Sequence, residues 1–319
     1  MPLELTSAQF IEELAAAGDP PLHESTPAIA RLGDMVAAGM TGRGPEVGSV
    51  RNLKLDGVGG RFRVRVLTPA ATPRGVIVYF HGGGWVLGDI DLQYDYVGRD
   101  LANRTQTTVV LVNYRKAPEH RFPTAIEDSE TALRWVADNF AELAPEGGPL
   151  VVAGDSAGGN IAAVLTQRSL RNAGPKIDYQ VLIYPVTDCD LDRPSYLDPA
   201  NHLLVDRDSI RWFWDHYLPD VHRRTDPDAS PLRATSLEGL PPALVYTAEY
   251  DPLHDEGVAY PEALRDAGVE VTLEIATGEM HGFFQMANIL PGYETGVALV
   301  SRYTNAFIDA FTDGTERQV

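Results

Sequence analysis

Short apolar runs recur along most of this chain, and longer stretches with helical spacing of apolar residues separate them. Each run has four to six residues and is rich in β-branched and aromatic side chains, which is typical of a strand buried on both faces. The runs are residues 75–80, 108–113, 150–153, 179–184 and 244–248. Because strands that alternate with helices form parallel sheets, the pattern predicts a mostly parallel sheet with crossover helices on both faces.

The first part of the chain shows two other patterns. Thr6 or Ser7 is expected to cap a short helix that carries Phe10 and Leu14 on one face, and residues 27–38 have the spacing of a second helix. From residue 49 to residue 67, apolar and charged residues alternate, which predicts a half-exposed antiparallel strand. We interpret the arginines of that strand as its solvated face and not as an anion site.

The alternation of strands and helices stops between residues 185 and 240, a stretch too long for an ordinary connection. We expect this segment to lie on top of the sheet. It contains a cluster of large apolar and aromatic residues at helical spacing, made of Ile210, Trp212, Phe213, Trp214 and Tyr217. Most of these side chains are expected to pack the segment onto the core, and one or two to line a pocket.

Ser156 lies in Gly154-Asp155-Ser156-Ala157-Gly158, between the strand-like run at residues 150–153 and a helix-like stretch at residues 160–171. A strand that turns sharply into a helix exposes a serine hydroxyl above the sheet, where a base can activate it. Glycines two positions before and after the serine fit this turn, because strand and helix approach too closely for a Cβ. The sequence therefore predicts a nucleophilic serine, with Asp155 ordering the turn through hydrogen bonds.

Three glycines follow the run at residues 75–80, in His81-Gly82-Gly83-Gly84-Trp85. Because glycine weakens ordered structure, such a run indicates a backbone that must point N–H groups at a negative charge. In acyl transfer that charge is the oxyanion of the tetrahedral intermediate. The expected donors are the N–H groups of Gly83, Gly84 and Ala157, and the side chain of His81 is expected to stiffen the loop.

The base and its orienting acid are expected later in the chain, with the acid first. Asp251 follows the strand-like run at residues 244–248, and His281 lies in a glycine-flanked loop after the alternating stretch at residues 269–275. We therefore predict His281 as general base and Asp251 as the carboxylate that fixes its tautomer. Asp255 or Glu256 could replace Asp251 if the following helix begins earlier.

Composition excludes several classes of function. The net charge of −19 would repel the phosphates of nucleic acids and disfavours binding to anionic membranes. The single cysteine, Cys189, rules out an intrachain disulfide, and no stretch approaches a membrane span. Residues 1–17 lack the pattern of a signal peptide, so a cytoplasmic protein is expected.

The motifs of metal and nucleotide sites are missing from the sequence as well. There is no His-Glu-x-x-His motif, no cysteine pair and no phosphate-binding loop, because residues 82–84 lack the lysine and the spacing such a loop needs. The sequence therefore predicts neither a metal nor a cofactor.

In these motifs and their order, the chain resembles the hormone-sensitive-lipase branch of the α/β hydrolases, the bacterial family IV carboxylesterases. The matching segments follow the family's order from about residue 50 onward. They are residues 81–85, 114–120, 154–160, 251–253 and 281–283. One position departs from the family pattern, since Lys116 stands where the usual residue is leucine.

The resemblance implies an α/β hydrolase with an eight-stranded, mostly parallel sheet and a helical cap. Residues 1–48 would form an N-terminal cap segment, and residues 49–319 the catalytic domain with a cap insertion at about residues 186–240. Ser156, Asp251 and His281 would be the triad, with Gly83, Gly84 and Ala157 as the oxyanion hole. We place Trp85, Phe284 and Trp212 in the substrate pocket.

The implied activity is hydrolysis of short- to medium-chain acyl esters, small molecules in solution, through an acyl-serine. An amidase, deacetylase or formamidase on the same scaffold stays open, because esters and amides pass through the same kind of intermediate. A receptor that no longer catalyses is a further alternative, although such receptors have lost the base histidine and His281 is present. A homodimer also stays open.

Overall fold

A computed structural model describes residues 2–316 of the chain, and within them eight strands form one sheet. The strands are β1 (Ser49–Gly57), β2 (Gly60–Thr68), β3 (Val76–Phe80), β4 (Thr108–Asn113), β5 (Leu150–Asp155), β6 (Tyr179–Ile183), β7 (Ala243–Tyr250) and β8 (Val271–Met280). The helices are α1 (Leu5–Ala17), α2 (Pro27–Thr41), α3 (Gln93–Thr105), α4 (Thr124–Asp138), α5 (Phe140–Leu143), α6 (Ala157–Arg171), α7 (Pro194–Leu197), α8 (Arg207–Tyr217), α9 (His254–Asp266) and α10 (Gly292–Glu316). Short 3₁₀ helices lie at Leu22–Glu24, Pro199–Asn201, Val221–Arg223, Pro231–Arg233 and Phe283–Gln285.

The strand order in the sheet is β1-β2-β4-β3-β5-β6-β7-β8. Strands β3 to β8 are parallel to one another, whereas β1 pairs antiparallel with β2, and β2 antiparallel with β4. The predicted eight-stranded, mostly parallel sheet is confirmed. The prediction of a single strand over residues 49–67 was wrong, because a turn at Gly57–Gly60 folds this stretch into a hairpin of two strands.

Two apolar cores lie on opposite faces of the sheet. Val76, Val78 and Phe80 of β3 belong to one core, and the intervening Ile77 and Tyr79 belong to the other. Helices α4, α6 and α9 contribute to the first core, and α3 and α10 to the second. Because successive side chains of a strand point to opposite faces, a strand that is buried throughout needs helices on both sides, as the sequence predicted.

The two N-terminal helices form close to where they were expected, but their ends differ. Helix α1 begins at Leu5, and the side chain of Glu4, not that of Thr6 or Ser7, accepts a hydrogen bond from the N–H of Ser7. Helix α2 continues to Thr41 and ends before Gly42, whose φ of 73° favours glycine. Propensity alone places a helix but does not fix which polar residue before it becomes the cap.

The buried apolar side chains of the segment at residues 186–240 belong to the first core, which also contains Val76, Val78 and Phe80. The inward side of α8 is buried there through Ile210, Phe213, Trp214 and Tyr217. The indole of Trp85 stacks on the ring of Tyr217 with their centroids 4.2 Å apart. These contacts tie α8 to the loop after β3. The division of the chain into cap and catalytic parts stays a prediction.

No helix among residues 2–316 combines the length and apolar character needed to cross a bilayer. The expected cytoplasmic location stays a prediction.

A buried ion pair connects the β1–β2 hairpin to the rest of the fold. The guanidinium of Arg115 donates to both carboxylate oxygens of Asp128 in α4, and it also donates to the carbonyl of Val58 in the hairpin turn. The Asp128 side chain is fully buried, and it accepts the backbone N–H of Arg115 as well. A charge removed from water this completely depends on all of these donors.

We expect Asp128→Ala to lower the free energy of unfolding by about 3 kcal/mol, because it leaves the Arg115 guanidinium largely buried without its partner. Asp56→Ala is the matched control, since Asp56 pairs with Arg61 while both side chains are mostly exposed, and it should cost less than about 1 kcal/mol. Urea unfolding followed by circular dichroism measures both values. Equal losses in the two variants would contradict the interpretation.

Candidate active site

The turn that carries Ser156 is built as the glycine pattern predicted. Strand β5 ends at Asp155, helix α6 begins at Ala157, and Ser156 between them has φ 55° and ψ −118°. A Cβ on Gly158 would lie 1.9 Å from the carbonyl oxygen of Phe80, and one on Gly154 would lie 2.4 Å from the carbonyl oxygen of Gly158. Only glycine fits at either position, so the predicted close approach of strand and helix is confirmed.

Ser156, His281 and Asp251 meet at the carboxyl ends of three parallel strands, since they follow β5, β8 and β7 directly. The Oγ of Ser156 lies 3.0 Å from Nε2 of His281, and Nδ1 of His281 lies 2.8 Å from Oδ2 of Asp251. All three residues are buried. A carboxylate can only accept, so Nδ1 carries the proton and Nε2 is free to accept the hydroxyl proton of Ser156.

The other carboxylates after β7 have different partners. Asp255 accepts the N–H of Ser195, and Glu256 accepts the N–H of Thr187 and the hydroxyl of Tyr196. The alternatives that the sequence left open are therefore wrong. The helix after β7 begins only at His254, which leaves Asp251 in the turn beside His281.

The glycine loop presents its N–H groups because other groups hold its carbonyls. Nδ1 of His81 lies 2.7 Å from the carbonyl oxygen of Gly82 and donates to it, and the N–H groups of Val86 and Leu87 donate to the carbonyl of Gly83. The C=O and N–H of one trans peptide point in opposite directions. Holding these two carbonyls therefore turns the N–H groups of Gly83 and Gly84 to the other side of the loop.

Gly83 and Gly84 line the same cavity as Ser156, and Ala157 is the first residue of α6. Within residues 2–316, none of these three N–H groups has a hydrogen-bond acceptor. Unpaired donors beside a nucleophile are the arrangement that stabilises a developing oxyanion. A Cβ on Gly84 would lie 2.2 Å from the ring of Phe213, so this loop also needs its glycine.

The side chain of His81 lies behind the loop and is fully buried. Burial lowers the pKa of His81 to about 3, so its ring is neutral and its single proton sits on Nδ1. The ring stacks on Tyr114 with their centroids 4.3 Å apart. These contacts agree with the predicted role of His81 in stiffening the loop.

Asp155 links the serine turn to the glycine loop. Its carboxylate accepts the hydroxyls of Tyr79 and Tyr94 and the N–H of Gly82, at 2.9 to 3.1 Å. Burial raises the pKa of Asp155 to about 6, although the tyrosine hydroxyls oppose this shift. The predicted ordering role is thus fulfilled through contacts with β3, α3 and the loop.

A cavity of about 340 Å³ opens above Ser156. Helices α1 and α2 contribute Phe10, Leu14, Ala30 and Ala37 to its wall, and α8 contributes Ile210, Phe213 and Trp214. Trp85 lines the cavity as predicted. The lining is mainly apolar, with polar groups at Asp34, Gln93 and Gln285.

Two of the predicted pocket residues lie elsewhere. Phe284 is fully buried and packs on Phe283 and Tyr293 in the second core, because the 3₁₀ turn after His281 points it away from the cavity. Trp212 is half-buried and packs on Phe213 and His216 without lining the cavity. The neighbouring Phe213 and Trp214 take its place, since one step along a helix rotates a side chain by about 100°.

Tyr184 also lines the cavity, although no motif in the sequence identifies it. Its ring packs on the imidazole of His281 with their centroids 4.6 Å apart. The residue directly follows β6 and has φ 30°, a backbone conformation that is unusual for tyrosine. The signal available in the sequence was its position at the end of a strand beside β5.

Among the described residues, no group of three or more histidine, cysteine, aspartate or glutamate side chains could hold a metal ion. The free thiol of Cys189 is half-buried and has a raised pKa caused by burial.

Comparison with known proteins gives consistent results. A model of the alpha/beta hydrolase fold family matches residues 77–285. Carboxylesterase NlhH of Mycobacterium tuberculosis is 45% identical over 220 residues, 68% of each chain, and the ethyl acetate hydrolase of Pseudomonas putida is 39% identical over 70% of each chain. The solved structure of an ester hydrolase from the metagenome of Lake Arreo superposes with a TM-score of 0.90 at 35% identity, covering 95% of this chain and 98% of that one.

Glu256 generates a prediction on pH and stability. Burial raises its pKa from 4.5 to about 8. Between these two pH values, the folded protein keeps a proton on Glu256 that the unfolded chain releases. The stability from this proton is complete below pH 4.5 and is lost as the pH rises through 8. Glu256→Gln mimics the protonated form, because its amide oxygen can accept from Thr187 and Asp188 while its NH₂ donates to Tyr196.

We therefore expect the melting temperature of Glu256→Gln, relative to wild type, to rise by about 4 °C or more between pH 5 and pH 8. Glu262→Gln, on the exposed face of the same helix, is the control and should show a difference that does not change with pH. Thermal unfolding at several pH values decides the matter. A constant difference for Glu256→Gln would argue against a buried protonated carboxyl.

Proposed function

Because the chain belongs to the hormone-sensitive-lipase-like branch of the α/β hydrolases and is a carboxylic ester hydrolase, we propose that it cleaves short- to medium-chain acyl esters through an acyl-serine on Ser156. The observation that carries this proposal is the continuous hydrogen-bonded path from Ser156 through His281 to Asp251. A serine hydroxyl becomes an effective nucleophile when a neutral imidazole accepts its proton and a carboxylate holds that imidazole.

In the first step, Oγ of Ser156 attacks the ester carbonyl carbon while its proton moves to Nε2 of His281. The carbonyl π electrons move to oxygen, and the resulting oxyanion accepts the N–H groups of Gly83, Gly84 and Ala157. Collapse of the intermediate breaks the bond to the alcohol oxygen, which takes the proton from Nε2. The products are an acyl-serine and the free alcohol.

In the second step, water attacks the acyl-serine and gives a proton to Nε2 of His281. Collapse of the second intermediate releases the carboxylic acid, and the proton returns to Oγ of Ser156. Asp251 stays ionised throughout and stabilises the imidazolium. Its second oxygen, Oδ1, accepts the N–H of Leu253 at 2.8 Å, which fixes the carboxylate against rotation.

The cavity supports a small substrate. Its volume of about 340 Å³ is near the lower end of the range of about 300 to 1,000 Å³ that is usual for small-molecule sites. The apolar aromatic wall suits an uncharged acyl chain. The relative named ethyl acetate hydrolase points to the same class of short esters. A homodimer stays a prediction.

We expect Ser156→Ala and His281→Ala each to lower kcat for a p-nitrophenyl ester by about 10⁴-fold or more, because both remove the activated nucleophile. The double variant should lose little more than either single variant, since the two residues act as one unit. Steady-state kinetics measures this, with circular dichroism to verify the fold. Most of the activity surviving in Ser156→Ala would refute the assignment.

A series of p-nitrophenyl esters from acetate to palmitate, with an aryl acetamide beside them, tests the substrate class. We expect kcat/KM to peak at short or medium acyl chains and to fall by about 100-fold or more at palmitate, because the long chain exceeds the volume of the cavity. Faster hydrolysis of the acetamide than of the acetate would favour the amidase alternative. A maximum at palmitate would contradict the proposed acyl range.

A further inference from the structure

Helix α2 carries two charged residues, Arg31 and Asp34, and both point inward to the loop after β3. The large apolar side chains of the helix lie on its other side and are more than half exposed. They are Ile29, Leu32, Met35, Val36 and Met40. This arrangement reverses the usual amphipathic helix, whose apolar side faces the protein. The hydrogen bonds of Arg31 and Asp34 must therefore hold α2 against the loop after β3, and they indicate the role of the helix.

Arg31 binds the backbone around the glycine loop. Its Nε donates to the carbonyl of Val86 at 2.9 Å, and its Nη2 donates to the carbonyl of Ala117 at 2.7 Å. The remaining donors of the guanidinium pair with Glu119 at 2.8 and 2.9 Å. Ala117 in turn donates its N–H to the carbonyl of Trp85. One side chain thus reaches two backbone carbonyls in or beside the loop.

Asp34 binds the same loop two residues further along. Its Oδ2 accepts the N–H of Gly88 at 2.8 Å, and its Oδ1 accepts Nε2 of Gln93, the first residue of α3, at 2.7 Å. Gly88 has φ 81°, and a Cβ there would lie 2.5 Å from the ring of His81. The backbone of Gly88 is therefore held on two sides, by the close approach of the His81 ring and by the hydrogen bond to Asp34.

These contacts continue directly to the peptides that face Ser156. The carbonyl of Val86 is held by Arg31, and the N–H of Val86 is one of the two donors to the carbonyl of Gly83. Because the Gly83 carbonyl and the Gly84 N–H belong to one peptide plane, a shift of residues 86–88 rotates that N–H. Helix α2 thus holds residues 86–88 of the loop, and these residues hold the peptide between Gly83 and Gly84 that faces Ser156.

We propose that Arg31 and Asp34 are positioning residues for the oxyanion hole, so that the N–H group of Gly84 is aligned only when α2 is docked over the cavity. The inference rests on the proposed function, because it concerns the charge that develops when Ser156 attacks. It makes α2 a part of the catalytic apparatus as well as a wall of the cavity.

Stability alone does not explain the arrangement around Arg31. The Arg31 and Glu119 side chains are 31% and 56% exposed, and an ion pair this open contributes little to folding. The contacts of Arg31 with the Val86 and Ala117 carbonyls, by contrast, fall on the backbone next to the loop. Their loss is expected to act on the transition state, where the oxyanion exists, more than on substrate binding.

The experiment compares Arg31→Met and Asp34→Asn with wild type. Arg31→Met removes both carbonyl contacts, and Asp34→Asn leaves one amide oxygen for two donors. We expect kcat for p-nitrophenyl butyrate to fall about 10- to 100-fold in each variant, since small misplacements of catalytic groups cost this much. KM should stay within about twofold, because Arg31 does not line the cavity and Asp34→Asn keeps the size of the one lining side chain that changes.

A second readout separates positioning from general loosening. A trifluoromethyl ketone adds to Oγ of Ser156 and places a negatively charged oxygen in the oxyanion hole, so its Ki should rise by the same factor by which kcat falls. A competitive alcohol inhibitor, which forms no oxyanion, should keep its Ki. A variant that is only destabilised would lose affinity for both or show a reduced active fraction in titration with an organophosphate.

Two controls test the specific contacts. Arg43→Met makes the same change at an arginine whose partner is the exposed Glu46, and Glu119→Gln removes the ion pair while Arg31 keeps its carbonyl contacts. Both should retain kcat within about twofold. If Arg31→Met and Asp34→Asn match these controls, or if KM changes while kcat does not, the positioning role is wrong. A wild-type protein that hydrolyses no ester would instead refute the proposed function, and this inference with it.

Discussion

The close packing of α6 against the ends of β3 and β5 is the constraint on which the rest of the site depends. It requires glycine at positions 154 and 158 and brings the backbone of Ser156 to φ 55°. A residue in such a conformation costs about 1–3 kcal/mol and persists only where its surroundings hold it. Here the carboxyl end of β6 and the residues that follow it hold Ser156, since the N–H of Ser156 donates to the carbonyl of Ile183 and its carbonyl accepts the N–H of Val186.

The same constraint sets the position of Ser156 relative to the glycine loop. Gly158 contacts the carbonyl of Phe80, the last residue of β3, and the loop begins one residue later. Asp155 adds a second connection, because its buried carboxylate at the end of β5 accepts from Tyr79 of β3, from Tyr94 of α3 and from the N–H of Gly82. The electrostatic part of the site is therefore built mostly from backbone groups, which need no reorganisation when charge develops.

The surface and the cavity of this protein differ in electrostatic character. The net charge is −19, yet the cavity above Ser156 is lined mainly by apolar side chains from α1, α2 and α8. An apolar wall lowers the local dielectric constant, which strengthens the few hydrogen bonds that matter for chemistry. Helix α2 lies between the cavity and the solvent, and the side of α2 that faces the solvent is apolar as well.

The sequence by itself determined the parallel part of the sheet, the serine turn and the identity of the groups that meet there, whereas the hairpin of β1 and β2 needed the structure. Buried parallel strands are continuous apolar runs, and glycine at positions 154 and 158 has a steric cause that acts within a few residues, so both are visible in the chain. The order of Ser156, Asp251 and His281 followed from where parallel strands end. The choice of Asp251 over Asp255 and Glu256 needed the structure, because it depended on the residue at which α9 begins.

Tertiary structure alone decided the lining of the cavity and the contacts of α2. Trp212, Phe213 and Trp214 are adjacent in the chain, and only the rotation of α8 about its axis determines which of them face the substrate. Phe284 looked like a pocket residue because it is near His281, but the turn after the histidine directs it into the core. Arg31 and Asp34 belong to no recognisable sequence motif, since the groups that they hold in the loop after β3 are backbone groups more than 50 residues away. Contacts between a side chain and a distant backbone leave no pattern in the sequence, because every residue offers the same carbonyl and N–H.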